Sequence, residues 1–190
     1  MDSALLISSS EKSIAFFIDL LKALPIRKIV TVSTCGEARR ALLDYDFDLC
    51  IINAPLKDET GEALAEYIAS KWTCQVILVV KSIHFETISS NVEDTGVITV
   101  SKPTTKDFFW NTLKLTKATH TRINKAQSEN VKLVKKIEDI RFIDRAKCIL
   151  ISYLNMTEDE AHKHIEKQAM NMRITKRAVA EGILKTYENS

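Results

Sequence analysis

The sequence predicts an α/β protein in which a doubly wound parallel sheet is followed by an all-helical C-terminal region. Short apolar runs alternate with segments of helical periodicity over the first part of the chain. No Pro or Gly then interrupts the chain from Thr105 to Tyr153, which indicates one long helix. Two further segments with helical spacing of apolar residues follow it.

Five strands are predicted from apolar and β-branched runs: Ala4–Ile7, Lys28–Val32, Leu49–Ile52, Val76–Val80 and Val97–Val100. Helical segments separate them, at residues 14–21, 37–42, 61–70 and 87–92, and a further helix begins at Thr105. Strands and helices of this number and length fit a flavodoxin-like domain, whose ligands lie beyond the carboxyl ends of the strands.

The C-terminal helices carry local start signals. Thr157 and Glu160 form a capping box for a helix that runs to about Asn171. Thr175 can cap the last helix. We therefore predict three parts: a domain at residues 1–118, a helical linker at 119–136 and a three-helix domain at 137–190.

Heptad spacing in the long helix predicts a coiled-coil seam. Its members are Ile123, Asn130, Leu133, Ile137 and Ile140. An Asn at a seam position lowers stability but can fix the register and favour two strands. The seam favours a homodimer, and the alternative is a helix packed against its own domain.

Charge is distributed unevenly along the chain. Residues 1–119 carry 13 Lys and Arg against 15 Asp and Glu, whereas residues 120–190 carry 14 against 10. A basic C-terminal region indicates a polyanionic partner, although solvated helix faces often show such an excess.

Several function classes are not supported by the sequence. There is no apolar run near the roughly 18 residues of a membrane span, and the N-terminus lacks a basic region and cleavage site, so we expect no membrane association and a cytoplasmic location. The four cysteines show no metal-ligand spacing and are expected to be buried, reduced thiols. No nucleophile–base constellation or phosphate-binding glycine loop is recognisable, so we expect no enzyme, cofactor or metal.

The first 118 residues or so resemble a response-regulator receiver domain. The resemblance lies in the run from Asp48 to Leu56, in Gly61 and in the pair Lys102-Pro103 after the fifth strand. Lys102-Pro103 is similar to the family's Lys-Pro pair, which usually has a cis peptide bond.

The phosphorylation chemistry that this resemblance implies is missing from the sequence. Asn53 occupies the position of the family's phosphate-accepting Asp, and an amide is not a carboxylate nucleophile. The acidic pair that holds Mg²⁺ falls within Ser8-Ser9-Ser10, and hydroxyls are poor substitutes for carboxylates. Val80 replaces the hydroxyl residue after the fourth strand, and Lys102 alone is kept. We expect a pseudo-receiver that is not phosphorylated.

The C-terminal region resembles the ANTAR domain, an RNA-binding module of transcription antiterminators. The resemblance covers about 55 residues and lies in four segments, which are residues 143–150, 156–161, 168–170 and 179–180. Two positions depart from the family pattern: Cys148 stands where Gly is common, and Ile165-Glu166 stands where Leu-Arg is frequent.

The resemblance implies binding of RNA hairpins in leader transcripts, and basic residues around it are the candidate contacts. These residues are Arg145, Lys147, Arg173, Lys176 and Arg177. Cations at a helix N-terminus add to backbone N–H groups that already attract phosphate. Tyr153 and Tyr187 could stack on RNA bases, but residues of this kind are more often part of a core.

We therefore expect an RNA-binding transcription antiterminator that a sensor protein controls by contact rather than by phosphorylation. Two alternatives stay open from the sequence. Three helices with a basic surface could belong to a DNA-binding transcription factor, or the chain could be a protein-interaction scaffold.

Overall fold

The computed structural model describes residues 1–188. It divides into two compact units, Met1–Asn124 and Lys125–Ser190. The finer division into residues 1–118, 119–136 and 137–190 stays a prediction. Within the described residues, no helix has both the length and the apolar character that crossing a membrane requires.

The N-terminal unit contains one parallel sheet. Its strands are β1 (Ser3–Ile7), β2 (Lys28–Val32), β3 (Leu49–Asn53), β4 (Gln75–Lys81) and β5 (Ile98–Lys102). All neighbouring strands pair in parallel, in the spatial order β2-β1-β3-β4-β5. This is the flavodoxin-like order, so the predicted fold class is confirmed.

Seven α-helices lie in the described part of the chain. They are α1 (Glu11–Lys22), α2 (Cys35–Asp44), α3 (Glu62–Lys71), α4 (Phe85–Val92), α5 (Lys106–Leu154), α6 (Glu158–Met172) and α7 (Lys176–Glu188). Each predicted helix is present. Helix α4 begins two residues before the predicted start, because the single 3-10 turn Ser82–His84 leads directly into it.

Apolar side chains alternate between the two faces of the sheet, and each face has its own core. On one face Leu5, Ile7 and Ile52 pack with α2 and α3. On the other face Leu6 and Ile51 pack with residues of α1 and α5. Because β1 and β3 are buried on both faces, they read as continuous apolar runs in the sequence.

The first part of α5 is attached to the sheet through one buried stripe. Phe109, Leu113, Thr116 and His120 lie three or four residues apart and are all buried. The Nε2 atom of His120 lies 3.4 Å from a carboxylate oxygen of Asp48, just before β3. Burial lowers the pKa of His120 more than the Asp48 carboxylate raises it, so the folded protein favours the neutral imidazole.

The C-terminal unit has a separate core formed by the end of α5, α6 and α7. Four alanines are buried in it, Ala146, Ala161, Ala169 and Ala180, and they allow close approach of the helices. The capping box of α6 is present: the Glu160 N–H donates to Thr157 Oγ1, and the Thr157 N–H donates to Glu160 Oε2. The Ala178 N–H donates to Thr175 Oγ1 at the start of α7.

The cysteine prediction is correct for three residues and wrong for one. Cys35, Cys50 and Cys74 are buried free thiols. Cys148 is exposed, because it lies on the side of α5 that faces away from the buried Ala146 and Leu150.

We predict that His120 makes the folded protein sensitive to acid. The neutral form is favoured by folding, so its contribution is complete above pH 6.5, the ordinary histidine pKa, and is lost as pH falls below that value. The thermal unfolding temperature of the wild type should therefore fall more between pH 7.5 and pH 5 than that of the His120→Gln variant. Exposed His84→Gln is the matched control. Parallel curves for the wild type and His120→Gln would refute this assignment.

Candidate functional site

The carboxyl edge of the sheet carries a hydrogen-bonded chain without a carboxylate where a receiver would hold its phosphorylation site. The ammonium of Lys102 donates to Oδ1 of Asn53 at 2.9 Å and also to the carbonyl of Ala54. The amide Nδ2 of Asn53 donates in turn to Oγ of Ser8 at 3.0 Å. The structure thus brings Ser8, Asn53 and Lys102 together. The Lys102-Pro103 peptide bond is cis.

Of the other predicted members of this degenerate site, only Ser10 contacts the chain of hydrogen bonds, through its backbone N–H, which donates to Oγ of Ser8 at 3.2 Å. Ser9 is exposed, and Ser10 caps the start of α1. Val80 is buried in the apolar core on the α2 and α3 side of the sheet. None of these residues offers a carboxylate, so the arrangement lacks the ligand chemistry that Mg²⁺ prefers.

The polar chain is nevertheless structurally useful. Asn53 and Ser8 are buried, and each would lose its partner if a neighbour were truncated. Leaving one buried polar group unsatisfied costs about 1–3 kcal/mol. Burial lowers the pKa of Lys102, and the nearby Lys81 ammonium lowers it further.

Three of the five candidate RNA-binding cations make ion pairs between helices. Lys147 of α5 pairs with Glu158 of α6 at 3.2 Å. Lys176 of α7 pairs with Glu166 of α6. Arg177 of α7 pairs with Asp139 of α5 at 2.7 Å. Each of the three helix pairs of this unit is therefore linked by one cation.

Arg177 is the most engaged of the five cations. Its guanidinium donates to Asp139 of α5 at 2.7 Å and to Glu181 at 2.9 Å, and it lies 4.6 Å from the ring centre of Phe142. Hydrogen bonds to Asp139 and Glu181 raise the pKa of Arg177. Its charge is therefore compensated within the domain rather than presented to a partner.

Arg145 and Arg173 are exposed, as is Lys176, whereas Lys147 and Arg177 are half-buried. Arg173 is also the C-cap residue of α6, with φ at 53°. Gly is the usual residue at a left-handed helix end because a Cβ there costs energy, of order 1–2 kcal/mol. An Arg kept in this conformation points to a role for its side chain.

The sequence reasoning passed over three exposed cations in the same unit, which are Arg141 in α5 and Lys163 and Lys167 in α6. In the described part of the chain, none of the three has a carboxylate within ion-pair distance. Their signal is the four-residue spacing: Arg141 precedes Arg145 by one turn, and Lys163 precedes Lys167 by one turn.

The predicted seam residues lie on an exposed stretch of α5. All helix residues from Thr121 to Glu138 are exposed. Among the seam members, Leu133, Ile137 and Ile140 are 57%, 51% and 56% exposed. Asn130 is exposed as well, and Ile123 is 37% exposed. Residues up to His120 pack on the sheet, and the apolar residues that follow are not covered by any described part of the chain. The homodimer stays a prediction.

Comparison with known proteins identifies the C-terminal unit. Residues 131–184 match the ANTAR domain family. The chain thus combines an ANTAR domain with a receiver-like domain. It is 27% identical over 140 residues to the transcriptional regulatory protein PdtaR of Mycobacterium tuberculosis, and the match covers 73% of this chain and 68% of PdtaR. This is a family of regulators rather than of enzymes.

Solved structures agree on the fold of the N-terminal unit. The signal receiver domain of an HD domain-containing protein from Pseudomonas fluorescens superposes with a TM-score of 0.58 at 20% identity, covering 65% of this chain and 92% of that domain. A CheY-like receiver domain from Methanospirillum hungatei gives 0.57 at 16% identity, covering 64% and 98%. At these identities the likeness shows the receiver fold alone.

We predict that the ANTAR regulator takes no phosphoryl group even when its nucleophile is restored. The Asn53→Asp variant supplies a carboxylate, but Ser8, Ser9 and Ser10 still offer no acidic Mg²⁺ ligand. Incubation of the wild type and Asn53→Asp with acetyl phosphate and Mg²⁺ should leave the intact mass unchanged for both. An active receiver domain is the positive control, and stoichiometric labelling of Asn53→Asp would contradict the prediction.

Proposed function

We propose that this ANTAR regulator is an RNA-binding transcription antiterminator that acts on hairpins in leader transcripts. The observation that carries the proposal is the ANTAR match, which coincides with a folded three-helix unit. The excess of cations in residues 120–190 supports it, because neutralisation of phosphates supplies much of the affinity for nucleic acid. A cytoplasmic location and the absence of cofactors stay predictions.

Control by contact with a sensor protein is the second part of the proposal. Its support is the hydrogen-bonded chain through Ser8, Asn53 and Lys102, which occupies the phosphorylation site with neutral acceptors. A receiver fold without its nucleophile and metal ligands still presents surfaces for a partner. Contact with such a partner could change the conformation of this unit without phosphorylation.

The ion pairs rank the candidate RNA contacts. Arg173 is exposed and comes first, together with the exposed Arg141, Lys163 and Lys167; Arg145 stays a candidate. Lys147, Lys176 and Arg177 stay candidates, but phosphate would have to compete with carboxylates that they already contact. Reversing the charge of Lys176 and Arg177 would also break two links between helices, so it would not separate loss of binding from loss of fold.

Dimerisation through the exposed part of α5 is the third part of the proposal. An exposed helix with a row of large apolar side chains is typical of a helix that pairs with another. A dimer would present two ANTAR domains to two hairpins, and linkage would raise the effective concentration for the second contact.

A salt-titrated gel shift tests RNA binding. The full chain is compared on a two-hairpin leader RNA from its own genomic neighbourhood and on duplex DNA of the same sequence. We expect tighter binding to RNA, weakening steeply with salt and lost when one hairpin loop is scrambled. A preference for duplex DNA would instead support a DNA-binding transcription factor, and binding to neither would support a scaffold.

The Arg173→Gly variant, measured in the same gel shift, tests whether Arg173 contacts the RNA. Gly relieves the left-handed conformation, so we expect the domain to gain stability by about 1 kcal/mol. RNA affinity should fall, and the salt slope should decrease by about 0.7–0.9 if one phosphate contact is lost. Lys57→Gln in the receiver-like unit removes one positive charge elsewhere and should leave RNA binding unchanged. Full RNA affinity in Arg173→Gly would exclude Arg173 from the interface.

We predict that the seam residues hold a homodimer together. Leu133→Glu should convert the full chain to a monomer in sedimentation equilibrium, because a carboxylate at a seam position is desolvated by pairing. Ser128→Glu adds the same charge to the exposed stretch away from the seam and serves as the control. A wild type that sediments as a monomer, or a Leu133→Glu variant that stays dimeric, would refute the seam.

A further inference from the structure

A cavity lies beside the hydrogen-bonded chain of Ser8, Asn53 and Lys102, at the carboxyl edge of the sheet of the receiver-like unit. Its volume is about 560 Å³, which falls in the range of small-molecule sites. Lys81 and Lys102 are the last residues of β4 and β5, and both line it. Lys12, in the first turn of α1, also lines it. This is the edge at which parallel α/β sheets place their ligands.

The charge of this cavity is not compensated. Lys81 and Lys102 are directly paired in the register of β4 and β5, so two ammonium groups stand on adjacent strands. Like charges at paired positions are unfavourable unless an anion lies between them. All of the lining residues belong to the described part of the chain, and none of them is acidic.

Lys102 has unused hydrogen-bonding capacity beside this cavity. It uses two of its three ammonium donors, on Asn53 and on the Ala54 carbonyl. The third donor is left for a bound oxyanion.

Part of the lining of this cavity is apolar. Phe17 and Val79 are already buried in the core, whereas Phe16 and Pro103 keep accessible surface. A ligand with an apolar body would cover Phe16 and Pro103, which an inorganic anion would leave exposed. Cations together with an accessible aromatic ring therefore favour an amphipathic ligand.

We propose that this cavity binds an organic phosphate monoester, with the phosphate between Lys12, Lys81 and Lys102 and the organic part against Phe16 and Pro103. A phosphate monoester carries a charge of about −1.5 to −2 at neutral pH and three acceptor oxygens, which suits three cations better than one carboxylate does. The site gives the receiver-like unit a non-covalent anion as input where covalent phosphorylation is lost. It is independent of the proposed RNA binding.

Calorimetric titration of the full chain with phenyl phosphate, at constant ionic strength, tests the proposal. We expect one-site binding that Lys81→Gln weakens about tenfold, the loss of roughly one charge-assisted hydrogen bond. Lys12→Gln should weaken it as well. Lys57→Gln removes the same charge from an exposed position that does not line the cavity and should bind as the wild type does.

Two further arms locate the bound molecule and define its class. Arg173→Gly should retain binding, because the RNA surface lies in the other unit; a loss in this variant would place the anion there and overturn the proposal. Inorganic phosphate should bind more weakly than phenyl phosphate, and phenol should not bind. Equal binding of inorganic and phenyl phosphate would overturn the assignment to an organic ester. No binding of phenyl phosphate, or equal weakening by Lys81→Gln and Lys57→Gln, would overturn the site itself.

Discussion

Helix α5 supplies apolar side chains to two separate cores, and both units depend on it. Phe109 and Leu113 close one face of the sheet, while Ala146 and Leu150 lie at the centre of the three-helix core. Between these contacts the helix crosses an exposed stretch without Pro or Gly. An isolated helix gains little from its own hydrogen bonds, so the order of this stretch depends on packing at both ends.

Three basic residues of the ANTAR unit form ion pairs between its helices, so they contribute to the fold as well as being candidate ligand contacts. Surface ion pairs contribute little singly, typically about 0–1 kcal/mol. Lys147, Lys176 and Arg177 nevertheless link three different pairs of helices, and Arg177 also covers the ring of Phe142. A small domain with few buried residues benefits from such links. The proposed RNA contacts are then better sought at Arg141, Lys163 and Lys167, and at Arg173, whose backbone conformation favours Gly.

The receiver-like unit shows the physical result of losing carboxylates while keeping a lysine. With neutral Ser8 and Asn53 at the ends of β1 and β3, Lys102 turns to uncharged acceptors. That arrangement satisfies hydrogen bonds but leaves the positive charge of Lys102 and Lys81 uncompensated. The loss of one chemistry thus leaves an electrostatic environment suited to a bound anion.

The sequence by itself determined the elements of this protein and most of the polar chain. Strand alternation, helical spacing and the Thr157–Glu160 capping box are local signals, so they could be read from neighbouring residues. Asn53 and Lys102 could be expected to meet, because the carboxyl ends of parallel strands share one edge. The tertiary structure alone decided which cations are compensated, since Arg177 meets an Asp139 that is 38 residues away. It also decided that Cys148 is exposed and that Lys12 and Lys81 join Lys102 around one cavity. Ion pairing and cavity formation depend on how helices and strands pack together, and residue spacing along the chain does not encode that packing.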